Sequence, residues 1–219
     1  IAMPDLSTLS RPCNGLILQT APRENSQATI HLAVESTGLK IFGEGEWLEE
    51  KHKIKGKRRS WRKLHLDLDL VSGEIVCSEL ATDEVGDPTA LPDLLDQVDS
   101  PVDLFLADGA YDGEPTSDLL VAQFGSTIEV TIPPPKNAVP SPNAAQDPTV
   151  RDRHIAEIAA RGRMGWQRAC GYNQRSRAET LMSRWKTVIG PKLKARSFKH
   201  QKIEAKIGVR ILNWMTELG

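Results

Sequence analysis

Three carboxylates stand at places where a fold could bring them together. Glu35 ends the apolar, β-rich run ATIHLAVES, Asp108 ends VDLFLAD, and Glu179 lies inside the late segment GYNQRSRAETLMSRWKTVI. That segment, Gly171 to Ile189, reads as one helix stopped by Gly190-Pro191. At about 100° per residue, Tyr172, Arg175, Glu179 and Lys186 share one face. Ala178, Leu181, Met182, Trp185, Val188 and Ile189 take the opposite side, the one a core would want. Alone, the polar row is what a solvated helix face looks like. With two strand-end acids facing it, the row supplies a third. Clustered carboxylates repel unless divalent cations sit between them, and an all-oxygen ligand set suits Mg²⁺ or Mn²⁺. Two such ions about 4 Å apart serve in-line displacement at phosphorus, one on the attacking oxygen and one on the leaving oxygen. Arg175 and Lys186 would then lie where a nucleic-acid backbone passes, with Tyr172 as a stacking or phosphate-contacting ring.

For the acids to meet, the strand ending at Glu35 and the strand ending at Asp108 must be neighbours, with the late helix packed across their ends. The order of elements allows this. After the first strand comes a Gly-punctuated stretch, FGEGEW, and then KHKIKGKRRSWRK at 51–63, with eight Lys or Arg in 13 positions. Leu64, Leu66, Leu68 and Leu70 alternate with His65, Asp67 and Asp69, the period-two signature of a half-buried strand. A Ser72-Gly73 turn returns the chain through GEIVCSELA. His65, Asp67 and Asp69 are expected on one outward face, for structural reasons and not as metal ligands. A short helix over 88–98, the strand ending at Asp108, a helix to about Gln123 and a strand at 127–132 follow. The Pro-rich IPPPKNAVPSPNAAQDP is irregular. Helix resumes near Val150, and a final amphipathic helix spans 198–218 with Ile203, Ile207, Ile211, Leu212 and Met215 expected on its inner face. Hairpin strands first and strand–helix alternation later indicate a mixed sheet with helices packed on it.

The totals suit one domain of this kind. The chain has 219 residues, 39% hydrophobic and 26% charged, enough for a single core. No apolar run approaches the roughly 18 residues that would span a bilayer. Cys13, Cys77 and Cys170 are odd in number and widely spaced, which reads as reduced thiols in a cytosolic protein. The net charge of −1 hides segregation. Between Leu64 and Pro135 there are 16 Asp or Glu and no Lys or Arg, so all 28 basic residues lie elsewhere with 13 acids. A basic periphery around an acidic centre fits a rim that meets a polyanion and a centre that holds cations.

Tyr172-x2-Arg175-x3-Glu179-x6-Lys186 matches without gaps the Y-x2-R-x3-E-x6-K signature of DDE-type bacterial insertion-sequence transposases. STGLK at 36–40, GEW at 45–47, WRKLH at 61–65, LPDLLDQV at 91–98, ADGAYD at 107–112 and the closing AKIGVRILNWMTELG also resemble that group. The resemblance runs from about Pro4 to Gly219. It implies an α/β (α+β) fold with an RNase H-like, five-stranded mixed sheet and flanking helices. Residues 28–219 would form the catalytic domain, with a basic insertion near 41–63. Residues 1–27 would be a connecting segment left from a missing N-terminal region. It further implies metal-dependent DNA cleavage and strand transfer, with two Mg²⁺ (or Mn²⁺) ions held by Glu35, Asp108 and Glu179. Tyr172, Arg175 and Lys186, with Lys57, Arg58 and Arg59 of the basic run, would contact double-stranded DNA at transposon ends and target. A homodimer on DNA, in the cytoplasm at the nucleoid, is expected. The family carries Asp where this chain reads ESTGLK, and the added methylene of Glu35 extends its reach by about 1.5 Å. An impaired catalytic centre is the expectation. An inactive remnant that binds DNA without cleaving it, and a nuclease of the same fold, are the other readings.

Overall fold

The computed structural model describes residues 28–41 and 61–219. Lys57, Arg58, Arg59 and most of the basic run lie outside the described residues. The elements run β1 Ile30–Ile41, β2 Trp61–Asp69, β3 Ile75–Thr82, α1 Asp87–Leu95, β4 Val102–Leu106, α2 Glu114–Phe124, β5 Glu129–Thr131, α3 Val150–Ala169, α4 Ser176–Val188, β6 Lys192–Leu193 and α5 Phe198–Glu217. The sheet order is β3-β2-β1-β4-β5, with β6 also on β1. β1, β2 and β3 pair antiparallel, while β4 and β5 join in parallel. This mixed sheet flanked by five described helices is RNase H-like.

It has six strands where five were expected. β6 is two residues long, too short to show a period, and it forms because the chain leaving α4 returns beside the end of β1. There the Lys40 amide donates to the Pro191 carbonyl at 3.0 Å, and Lys40 and Ile41 pair with Lys192 and Leu193. β1 is likewise longer than the run ending at Glu35, because STGLKI continues to pair with β2 as far as Lys40 opposite Trp61.

Both faces of the sheet are covered. On one, Ala33, Leu64, Leu66, Leu68 and Leu106 pack against Ala178, Leu181, Met182 and Trp185 of α4 and Ala205, Val209 and Leu212 of α5. On the other, Leu32, Val34, Cys77 and Phe105 pack against Leu91 and Leu94 of α1 and Leu120 of α2. Each fully buried large apolar side chain contributes about 1.5–3 kcal/mol.

The second layer corrects the reading of His65, Asp67 and Asp69. They do share a face, but α1 covers it, and all three are buried. Period-two alternation shows which residues share a face; it does not show whether another layer covers that face. Asp69 is used up by the turn after β2: its carboxylate accepts from the amides of His31, Val71 and Ser72 and from the Ser72 hydroxyl at 2.7 Å. Among the described residues Asp67 accepts only from the Cys77 thiol, at 3.0 Å, and burial pushes its carboxyl up to about 7. Burial likewise pushes the His65 imidazole down to about 4, although Asp87 stands 3.4 Å from its Nδ1.

The inner face of α5 also differs from expectation. It is formed by Gln201, Ala205, Gly208, Val209, Leu212 and Asn213, whereas Ile207, Ile211 and Met215 are exposed. Small residues face inward because the Trp185 indole of α4 already fills the space. A Cβ on Gly208 would stand 2.5 Å from Trp185 Cη2. Asn213 closes the fit by exchanging two 2.8 Å hydrogen bonds with the Ile75 backbone of β3.

Candidate active site

Parallel pairing of β1 with β4 places the first two acids. Ala33 is the register partner of Leu106. Glu35 and Asp108 each follow by two residues, so both come up on the sheet face that α4 covers. Beyond Leu106 the chain turns sharply. Asp108 caps a 3-10 turn at Gly109–Tyr111, its Oδ1 accepting from the Ala110 amide at 2.8 Å. Gly109 permits that turn to press against Pro133, whose carbonyl oxygen would lie 3.1 Å from an added Cβ.

The late segment is not one continuous helix. Gly171 takes a left-handed conformation (φ 68°), Tyr172–Arg175 form a 3-10 turn, and α4 starts at Ser176. Ala178 and Trp185 fix α4 to the sheet, which leaves Glu179 in its first turn on the open side. A carboxylate there is favoured by the helix dipole.

Arg175 joins the three acids. Its Nη2 lies 2.5 Å from Glu35 Oε2 and 3.7 Å from Asp108 Oδ2, and its Nη1 donates to Glu179 Oε1 at 2.7 Å. The side chains of Arg175 and Glu35 are each 14% exposed, against 40% for Asp108 and 60% for Glu179. The site is therefore a cleft, floored by the Glu35–Arg175 pair and open at the other two acids. Burial raises the Glu35 carboxyl above its usual range, and the Arg175 charge only partly offsets that. Burial works against the guanidinium charge, but Glu35, Tyr172, Asp108 and Glu179 together hold its pKa above the usual arginine value.

Oxygen-only carboxylate donors from within β1, from just past β4 and from α4 have the chemistry that suits Mg²⁺ or Mn²⁺. All three reach one guanidinium at a common position, so the residues gathered there have the donor chemistry for a divalent metal. With the side chains as they stand, no three acids, histidines or cysteines among the described residues are grouped to hold an ion. Arg175 takes that position instead.

The remaining expected residues divide. Tyr172 does not stand out in the cleft as a free stacking ring; it lies against Trp166, centroids 5.3 Å apart. Trp166 donates to His154 Nδ1 at 2.9 Å, and His154 Nε2 in turn donates to the Val130 carbonyl at 2.9 Å. This chain from β5 through α3 to the turn bearing Arg175 was missed in the sequence, where Trp166 and His154 carry no spacing signal. Lys186 is exposed on α4, two turns beyond Glu179. Arg62 and Lys63, from the edge of the basic run, are structural: Arg62 donates to Gln201 at 3.0 Å and Lys63 pairs with Asp87 at 2.8 Å.

No solved structure matches the chain. The family described as the transposase DDE domain matches residues 26–214, a span that holds Glu35, Asp108, Arg175 and Glu179 together. The chain belongs to the DDE transposase family.

Proposed function

We propose that this domain cleaves DNA and joins the cut strand to a target, with Glu35, Asp108 and Glu179 holding two Mg²⁺ or Mn²⁺ ions. The observation that carries the reading is the meeting of three carboxylates from β1, β4 and α4 on one cationic group. When bound, the metal supplies activation of the attacking oxygen and stabilisation of the leaving one. The chain's own residues do the rest. Lys186 steers and grips the DNA backbone by charge, as do Lys57, Arg58 and Arg59. Tyr172, held by Trp166, fixes the turn that presents Arg175. The buried floor at Glu35 excludes bulk water on one side, while Asp108 and Glu179 stay accessible to substrate. DNA is the substrate and partner, and the nucleoid is the place of action.

The test is cleavage of a duplex carrying a transposon end in Mn²⁺, comparing the chain with Asp108→Asn and Glu179→Gln. Metal-dependent cleavage lost in both variants supports the reading, and cleavage that survives either one overturns it. Strand transfer from pre-cut ends separates a transposase from a nuclease of the same fold. A second reading, DNA binding without cleavage, draws on one observation: the Glu35 carboxylate is already committed to Arg175 at 2.5 Å. Salt-dependent binding with no metal-dependent cut would select it.

A homodimer is part of the proposal, and α5 is its interface. Ile207, Ile211, Trp214 and Leu218 follow one another at four, three and four residues, the spacing of a helix–helix seam, and all are exposed. Trp214 is 66% exposed. The seam lies opposite the face that packs on the sheet. An antiparallel second copy of α5 would set Ile211 against Trp214 and Ile207 against Leu218, each twice by symmetry. That self-complementary apolar pattern favours a second copy over a foreign helix.

A further inference from the structure

We infer that Arg175 is an exchangeable occupant of the carboxylate cluster: its guanidinium holds the three acids until divalent metal enters, and then transfers to a DNA phosphate. The inference rests on the reading of Glu35, Asp108 and Glu179 as the metal-binding acids. Arg175 directs both terminal nitrogens at those acids, at 2.5 Å, 2.7 Å and 3.7 Å, while its Nε is buried without a hydrogen-bond partner among the described residues. A divalent ion bound by the same three carboxylates would therefore stand within contact range of a like-charged group. Guanidinium and ion are alternatives at that position.

The exchange needs a second partner for the guanidinium, and phosphate is the natural one. The planar fork that grips a carboxylate grips a phosphate equally well. Arg175 is placed to make that move. Its backbone lies in the short 3-10 turn between left-handed Gly171 and α4, and its long side chain reaches inward to a cleft whose other two acids are open. The consequence is reciprocal coupling: DNA that draws Arg175 away frees the acids for metal, and metal in the acids frees Arg175 for DNA. Glu35 strengthens the closed arrangement in this chain, because it makes the shortest of the three contacts.

The experiment is titration of free Mn²⁺, read by electron paramagnetic resonance, against the full chain with and without a short duplex lacking a cleavage site. Arg175→Gln should bind Mn²⁺ at least about tenfold more tightly than wild type without DNA. The duplex should tighten Mn²⁺ binding to wild type and leave Arg175→Gln nearly unchanged. Arg175→Lys, which keeps the charge but lacks the fork, should fall between them and carries the comparison if Arg175→Gln does not fold. Equal or weaker Mn²⁺ binding by both variants, or the same tightening by DNA in both as in wild type, would overturn the inference. Asp108→Asn and Glu179→Gln separate the two failures. If they do not weaken Mn²⁺ binding, the acids are not the metal site and the parent reading falls. If they abolish it while the Arg175 variants behave like wild type, the metal site stands and the exchange does not.

Discussion

Glu35, within β1, and Asp108, just beyond the end of β4, each lie two residues past the register pair Ala33–Leu106, and the Arg175 guanidinium stands 2.5 Å from Glu35. The sheet brings the two acids to one edge, and the turn before α4 then lays a cation across them. Glu35, with a stem one methylene longer than that of Asp, makes the shortest of the three contacts to that cation, at 2.5 Å.

Shortening the stem should restore ligand geometry. Glu35→Asp is expected to raise Mn²⁺-dependent cleavage of end-bearing DNA by roughly tenfold to a hundredfold, since a misplacement of about 1 Å can cost about a hundredfold in rate. The check is the single-turnover cleavage rate of the two proteins side by side. A wild-type rate that the substitution does not improve would show that Glu35 is already a competent ligand.

Gly208→Ala should destabilise the fold even though the same change in a helix interior ordinarily gains about 1 kcal/mol. The new Cβ would lie 2.5 Å from Trp185 Cη2, and the indole is buried against the sheet with nowhere to yield. Overpacking of that kind costs about 1–3 kcal/mol, so after the helix-propensity gain the net loss is expected to reach about 2 kcal/mol in urea unfolding. Combining it with Trp185→Phe should cost less than the two changes summed. Additive losses would mean that the two side chains do not meet.

Two buried groups on the α1 face should tilt stability against pH in opposite directions. The folded Asp67 carboxyl titrates at about 7 against 3.8 when unfolded, so it keeps a proton the unfolded chain has released, and stability falls as pH rises from about 4 to about 7. Folded His65 titrates at about 4 against 6.5, so the unfolded chain binds the extra proton, and stability rises with pH over about 4 to 6.5. The two slopes offset each other in wild type. Relative to wild type, Asp67→Asn should gain stability as pH rises through that range, and His65→Gln should lose it. Urea midpoints measured at several pH values decide this; profiles parallel to wild type would refute both assignments.

The α5 seam should hold two copies together on DNA. Light scattering on the full chain with a transposon-end duplex is expected to show two copies per duplex, and Ile211→Glu or Trp214→Glu should weaken that assembly. A single copy per duplex at all concentrations, or an assembly indifferent to both substitutions, would remove α5 as the interface.

Much of this molecule was legible along the chain. The leucines of β2, the Ser72-Gly73 turn and the apolar stripe of α4 each rest on a local period. Residues two apart on a strand, or three and four apart on a helix, share a face whatever the rest of the fold does. Glu179 could be named as a helix-face acid for the same reason, whereas Glu35, read as ending its strand, lies within β1. The errors share one origin. The period places His65, Asp67 and Asp69 on an outward face and Ile207, Ile211 and Met215 on an inward one, but a period identifies a face and not what covers it.

The sequence by itself determined which side chains travel together on each element, since that follows from backbone geometry within a few residues. Only the tertiary structure decided what each face meets. It put α1 over the acidic face of β2, brought Trp185 against Gly208, added β6 to the end of β1, and laid Arg175 across three acids up to 144 residues apart in number. Contacts at that separation are set by how the layers stack, and no local period encodes them.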